Sequence, residues 1–273
     1  MTELIKLNNG IEIPSVGLGV FRLENKETQQ VVESALSIGY RHIDTAEYYA
    51  NEEAVGAGVK ASGIPRKEMF VTTKCWNENL RKDTVMKAFE KSLKKLDMDY
   101  VDLYLIHWPV SGKIQEAWKV FEQIYSSGRA KSIGVSNFKQ HHLESLKEVS
   151  TITPAVNQIE LHPYLIQEDV VEYCNSAGIK VEAWSPFAAN KMDLFKEKTI
   201  VDIANKHSKT PAQVILRWDY QRGIIVIPKS SHKERQAENL NIFDFNLTDE
   251  DMTQISMLNK NKRVGADPDN FNF

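Results

Sequence analysis

Four residues in the first part of the chain, Asp44, Tyr49, Lys74 and His107, have the types needed to handle a proton beside a carbonyl group. A tyrosine titrates near 10 and is a poor acid or base at neutral pH unless something stabilises its anion. Lys74 is suited to supply that positive charge and to bring the tyrosine down, and Asp44 to hold the lysine charged and oriented. His107, flanked by Ile106 and Trp108, has a ring nitrogen with which to fix a carbonyl oxygen beside the tyrosine hydroxyl, in a tautomer the sequence leaves open. Each has a plainer reading alone. A histidine in an apolar strand is usually core, Asp44 could cap a helix, Lys74 could be a solvated strand end, and Tyr49 has Tyr48 and Tyr40 beside it as packing residues. Their weight comes from where they fall.

Short β-branched or apolar runs near 16–20, 42–46, 69–75, 101–107, 131–136, 155–161, 179–184 and 224–228 alternate with helical patterns, without a linker or a break in composition. In the helix expected over 83–97, Asp83 is placed to cap the start, and Val85, Ala88, Phe89, Leu93 and Leu96 recur at helical spacing. Eight such units in 273 residues fit one closed (β/α)8 barrel, which uses about 250 residues. An open doubly wound sheet fits less well, and Gly17-Leu18-Gly19 is followed by Val20-Phe21-Arg22, not by a GxGxxG fingerprint. An Asn9-Gly10 turn predicts a small hairpin cap ahead of the barrel. A last helix over 249–259 and a polar tail ending Asn270-Phe271-Asn272-Phe273 follow it, and all of 1–273 reads as one domain. In such a barrel the chemistry lies where strands end, and Asp44, Lys74 and His107 close three successive strands, with Tyr49 just beyond the first of them.

Composition narrows the field further. With 42% hydrophobic and 26% charged residues the chain has the make-up of a globular protein with a sizeable core. A net charge of -3 argues against a general nucleic-acid partner, though it leaves room for a local basic patch. Cys75 and Cys174 form no CxxC spacing, so a reducing cytosol is the expected setting. The opening Met1-Thr2-Glu3-Leu4-Ile5-Lys6 has no basic region followed by an apolar stretch, and no run approaches the roughly 20 apolar residues of a membrane span.

Three stretches resemble the aldo-keto reductase superfamily, in that family's order and over essentially the whole chain. They are Gly39-Tyr40-Arg41-His42-Ile43-Asp44-Thr45-Ala46 running on to Tyr49 and Asn51-Glu52, then Asp102-Leu103-Tyr104-Leu105-Ile106-His107-Trp108-Pro109, then Ile227-Pro228-Lys229-Ser230. The resemblance implies that Asp44, Tyr49, Lys74 and His107 form the catalytic tetrad, with Tyr49 as general acid and the hydride coming from a reduced nicotinamide. It implies a cofactor cleft in which Ser136, Asn137 and Gln158 hold the carboxamide and Trp184 stacks on the ring. Ser185 and Phe187 would meet the pyrophosphate, and Gly19, Val20, Phe21 and Asp44 would border the site. Lys229, Ser230 and Arg235, followed by Glu238 and Asn239, resemble the adenosine end, where two cations and a hydroxyl suit a 2′-phosphate. NADPH is therefore expected over NADH, and a monomer is the family's usual state.

Departures from the family bear on the substrate. Val20 and Phe21 stand where many animal members have Thr and Trp, and only Val110-Ser111-Gly112-Lys113 separates Pro109 from the next helix. That short connection resembles bacterial members and predicts an open pocket lined by Phe21, Trp76 and Trp108, with few polar groups to discriminate. Small aldehydes and dicarbonyls such as glyoxal or methylglyoxal are the leading expectation, with 2,5-diketogluconate or another sugar-derived ketone as the alternative. Three other functions compete: a Schiff-base aldolase using Lys74, a metal-dependent hydrolase using His42, Asp44, His107 and His162, and a nucleotide-sensing regulatory subunit with little turnover.

Overall fold

Alternation of buried apolar strands with one-sided helices closes into a ring in the computed structural model, which describes residues 3–273; Met1 and Thr2 of the opening segment lie outside the described residues. Strands β1 (Leu4–Lys6) and β2 (Glu12–Pro14) form the antiparallel hairpin, with Ile5 opposite Ile13. The barrel strands are β3 (Leu18–Gly19), β4 (His42–Asp44), β5 (Phe70–Cys75), β6 (Val101–Ile106), β7 (Ala130–Ser136), β8 (Val156–Glu160), β9 (Lys180–Trp184) and β10 (Ile225–Val226). All are parallel, and each pairs with the next in chain order. The ring shuts where Val16 bridges Val226, where the Gly17 N–H donates to the Val226 carbonyl at 2.8 Å, and where the Gly19 N–H donates to the Pro228 carbonyl at 3.2 Å. This is the expected (β/α)8 barrel with its hairpin cap.

Helices α1 (Asn25–Ile38), α2 (Glu52–Ala61), α3 (Asn77–Arg81), α4 (Val85–Leu96), α5 (Ile114–Ser126) and α6 (Gln140–Lys147) surround the first half. The second half carries α7 (Glu168–Ser176), α8 (Lys198–Lys206), α9 (Pro211–Gln221), α10 (Lys233–Leu240) and α11 (Asp249–Ser256). On α4, Val85, Ala88, Phe89, Leu93 and Leu96 are buried, the stripe its sequence predicts. Inside the ring, Phe70, Leu103, Leu105, Val156 and Ile225 make an apolar floor, and the hairpin plugs it from below with Leu7 and Ile13. Polar residues occupy the strand ends at the opposite mouth.

Several expected boundaries shift for local reasons. Asp83 does not cap α4: it sits at φ 53°, and its carboxylate accepts from the Lys113 ammonium at 3.0 Å. The strand expected over 42–46 stops at Asp44 because the chain turns into a 3-10 helix at Glu47–Tyr49. The strand expected to reach 228 stops at Val226, and Pro228 has no N–H to continue a ladder. Helix α11 ends at Ser256, three residues early, but starts with a reciprocal cap between Thr248 and Asp251.

The floor holds the strands in register under the polar mouth, so it is a structural requirement of the site. Leu105→Ala should lower unfolding stability by about 2–5 kcal/mol, as for a large-to-small change in a closely packed core, measured by urea denaturation.

Candidate active site

Lys74 is fully buried at the upper end of β5, and its ammonium has three N–H groups to place. It donates to Asp44 Oδ1 at 2.6 Å, to the Thr45 carbonyl at 2.9 Å and to the Tyr49 hydroxyl at 3.3 Å. The second Asp44 oxygen accepts from Gln158 Nε2 at 2.8 Å. Pairing of β4 with β5 brings Asp44 and Lys74 to the same end of the barrel, and the 3-10 helix after β4 delivers Tyr49 over them. That helix is tethered in turn: the Thr45 hydroxyl donates to Asn51 Oδ1 at 2.8 Å, and Asn51 Nδ2 donates to the Val20 carbonyl at 3.0 Å.

Burial opposes the charge on Lys74, but the carboxylate of Asp44 and then Tyr49 outweigh it, and its pKa sits above the ordinary value. Burial likewise pushes the Asp44 carboxyl up, against the pull of Lys74 and Gln158. At this distance the pair is an ion pair, each member compensating the other's desolvation. The expected lowering of Tyr49 is not met. Burial, the largest influence, raises its pKa; Lys74 pulls it back down and Asp44 pushes it up again. The cation is already paired, so the tyrosine feels a near-neutral couple and stays protonated.

His107 is buried, and burial followed by the Lys74 charge holds its pKa well below the usual imidazole range. Its ring is neutral, with Nδ1 shut off from solvent and without a partner among the described residues. It meets Tyr49 edge-on at 5.7 Å and Trp76 edge-on at 5.2 Å between ring centres. Asp44, Tyr49 and His107 border one cavity of about 630 Å³, within the range of ligand-binding clefts, and Lys74 lies directly beneath it.

The other expected site residues divide into two groups. Gly19, Phe21, Ser136, Asn137, Gln158, Trp184, Ser185, Phe187 and Lys229 border this cavity, as do Trp76 and Trp108. The Ser136 hydroxyl donates to the Gln158 carbonyl at 2.8 Å; Asn137 Nδ2 donates to the His107 carbonyl at 2.9 Å, and its Oδ1 accepts from Trp184 Nε1 at 2.9 Å. Ser185, at φ 51°, turns the chain sharply out of β9. Val20, Ser230, Arg235, Glu238 and Asn239 do not border the cavity. Val20 is buried and contributes its carbonyl to Asn51; Ser230 accepts from the His232 N–H at 3.1 Å; Glu238 accepts from the Thr210 hydroxyl at 2.7 Å; Asn239 is buried on α10; Arg235 is exposed there.

The pocket is less open than expected, because the tail supplies a wall. The short connection before α5 is present, but Phe271 and Phe273 pack on Trp108, each at 5.2 Å, and Phe273 stacks on Trp76 at 5.7 Å, with Tyr48 stacked on that indole at 3.9 Å. The Phe273 carbonyl accepts from Asn77 Nδ2 at 3.2 Å and from Arg81 at 2.8 Å. Sequence reasoning missed Tyr48, Phe271 and Phe273. Two aromatic residues in an otherwise polar tail were the available signal, since rings of that size need a partner surface.

His42, Asp44, His107 and His162 do not converge as a ligand set; among the described residues the cluster with metal-like spacing is His141, His142 and Asp269 beside the tail. His42 faces Thr72 at 3.2 Å and His162 faces Glu160 at 3.0 Å. Lys74, held charged by Asp44, is a poor nucleophile for a Schiff base, which needs the free amine.

Comparisons agree with this geometry. The Aldo/keto reductase family matches residues 15–260. The chain is 49% identical to Glyoxal reductase of Bacillus subtilis (strain 168), over 100% of this chain and 99% of that protein. It is 44% identical to Methylglyoxal reductase DkgA of Escherichia coli (strain K12), over 98% of each. An aldo-keto reductase of Bombyx mori, solved in complex with NADP, superimposes with a TM-score of 0.92 at 41% identity, covering 98% of this chain and 96% of that one. A (β/α)8 barrel with Lys74, Asp44, Tyr49 and His107 at its mouth therefore defines an oxidoreductase. The chain belongs to the aldo/keto reductase family.

Two outcomes follow from the electrostatics. Asp44→Asn leaves the Lys74 ammonium buried without its counter-charge and should lower stability by about 3–5 kcal/mol, whereas Asp44→Asn with Lys74→Met should recover part of that loss in urea unfolding. Burial pushes His42 down to about 3, so between its ordinary value and that point the unfolded chain binds a proton that the native state refuses. This contribution is complete above about pH 6.5 and is lost as pH falls, at about 1.4 kcal/mol per pH unit. Urea titrations between pH 6 and 4 should show a slope shallower by about that amount in His42→Gln.

Proposed function

We propose that this protein is an NADPH-dependent reductase of small aldehydes and dicarbonyls of the glyoxal and methylglyoxal type, with Tyr49 as the proton donor. The observation that carries the proposal is the third N–H of the buried Lys74 ammonium, which is directed at the Tyr49 hydroxyl on the floor of the cavity that His107 also borders. The names of the Bacillus subtilis and Escherichia coli relatives support the substrate class, and the NADP complex of the Bombyx mori protein supports the cofactor.

The donor set fits a nicotinamide nucleotide. Gln158 has its amide nitrogen on Asp44 and its oxygen free of protein donors among the described residues, and Asn137 Oδ1 accepts a single bond, so acceptors are available to a carboxamide. Gly19 borders the cleft where a side chain would strike the Ile227 carbonyl at 2.8 Å, which keeps that wall bare. Ser136, Asn137, Gln158 and Trp184 would hold the nicotinamide end, and Ser185 and Phe187 the pyrophosphate. Lys229 borders the far end of the cleft, and Arg235, Ser230, Glu238 and Asn239 are carried here as adenosine-end residues from the family resemblance. When bound, the reduced nucleotide supplies hydride to the carbonyl carbon.

This chain's own residues do the rest. His107 Nε2 orients the carbonyl oxygen; its neutrality suits it to a hydrogen bond and leaves proton transfer to Tyr49. The raised pKa of Tyr49 keeps it protonated at neutral pH, as a general acid must be, and Lys74 stabilises the phenolate left behind. Asp44 keeps Lys74 charged through the step. Phe21, Trp76 and Trp108 offer shape and apolar contact, which suits small carbonyl compounds of varied structure. A monomer in the cytosol completes the proposal.

The test is NADPH oxidation with methylglyoxal, for the wild type beside Tyr49→Phe. Turnover that drops by about 10²–10⁴-fold in the variant, with NADPH binding retained by fluorescence titration, is the expected result. Equal turnover in both would overturn the role of Tyr49. Binding without turnover over a broad aldehyde panel would favour the regulatory subunit instead.

A further inference from the structure

Glu160, the last residue of β8, lies opposite Trp184 in the β8–β9 ladder and is completely buried. Oε1 accepts from the Val264 N–H at 2.6 Å and lies 3.0 Å from His162 Nε2, and Oε2 accepts from the Gly265 N–H at 3.0 Å. One carboxylate thus gathers two consecutive backbone amides of the segment between α11 and the aromatic tail. Gly265 is wedged between this carboxylate and the indole: a Cβ added there would meet Trp184 at 2.4 Å and Glu160 Oε2 at 3.0 Å. Val264, Gly265 and Trp184 all border the cavity. Trp184 is held at another edge by its own Nε1–H bond to Asn137, so Gly265 backs the ring on a second side.

We propose that Glu160 is a positioning residue of the cofactor cleft, which by clamping the Val264 and Gly265 amides presses the chain at Gly265 against Trp184 and fixes the ring as a platform. The inference rests on the reading of Trp184 as the face that receives the nicotinamide. His162 has its role here as the side-chain donor to the clamp, which accounts for its complete burial outside the tetrad. The position needs a carboxylate because only two acceptor oxygens on one rigid group satisfy adjacent amides; a glutamine offers one, and an alanine leaves both amides without a partner.

Glu160→Ala, Glu160→Gln and Gly265→Ala separate the possibilities. Hydrogen exchange by mass spectrometry over 260–273 reports the clamp directly, and NADPH affinity by fluorescence titration reports the platform. The clamp predicts faster exchange at 264–265 and about tenfold weaker NADPH binding in Glu160→Ala, with Glu160→Gln intermediate on both readouts. Gly265→Ala should weaken NADPH with Glu160 intact, and combining it with Glu160→Ala should add less than the two separate effects. KM for NADPH should rise more than KM for methylglyoxal, which a general loss of folding would not produce. If Glu160→Ala frees the segment yet binds NADPH as the wild type does, the inference is wrong. If exchange at 264–265 does not change, there is no clamp. Failure of the wild type itself to bind NADPH would instead remove the reading on which the inference stands, whatever the tail does.

Discussion

A lysine ammonium enclosed inside the barrel mouth, with a separate acceptor for each of its three protons, is the interaction on which the site depends. A charge placed there alone would be prohibitive, so Asp44 is obligatory, and Gln158 is needed to satisfy the second Asp44 oxygen. Once the carboxylate and one main-chain carbonyl are in place, a single N–H is left over, and Tyr49 receives it. The tyrosine is thereby singled out from its neighbour Tyr48, whose ring is exposed and stacked on Trp76. Geometry that satisfies a buried cation also singles out the hydroxyl proposed as the proton donor.

Burial in the same barrel interior, with the Lys74 charge adding to it, accounts for the neutrality of His107 and His42. The carboxyl of Glu182, 3.8 Å from His42, is itself pushed well up by burial and then by Asp44. A barrel interior holding one ion pair has little capacity for another. The apolar floor and the hairpin plug keep water from the underside of the pair, so the electrostatics at the mouth are set by the few groups that face it.

The barrel and its reactive mouth were largely legible in the sequence. Eight apolar runs separated by one-sided helices leave few other ways to bury both faces of a parallel sheet. Asp44, Lys74 and His107 stood at the ends of consecutive runs, which tied them to one rim before any contact was known. What was not legible depends on long-range packing. Phe271 and Phe273 reach Trp108 from the far end of the chain, and no local periodicity announces such a contact. Asp83 has the residue type of a helix cap but lies at positive φ and pairs with Lys113, because a tertiary partner competes with the local one. The pKa of Tyr49 departs from expectation for a similar reason: the sequence offers Lys74 as a nearby cation but does not show that burial and Asp44 outweigh it.

The pocket that results divides recognition between two kinds of contact. Toward Lys74, the Asp44 carboxylate and the Gln158 amide nitrogen are committed to one another, so the proposed substrate would meet the Tyr49 hydroxyl and the His107 ring but few further donors. Outward, Phe21, Trp76, Trp108 and Phe273 present ring surface, which would discriminate by a few kcal/mol at most among compounds differing in apolar bulk. A polyhydroxylated substrate would have to leave several hydroxyls against these rings without partners, at about 1–3 kcal/mol for each that is fully desolvated. A short dicarbonyl has only its carbonyl oxygens to satisfy, and in the proposed reaction Tyr49 and His107 would serve one of them. The apolar rings around Tyr49 and His107 therefore support the proposed preference for compact carbonyl compounds over sugar-derived ketones.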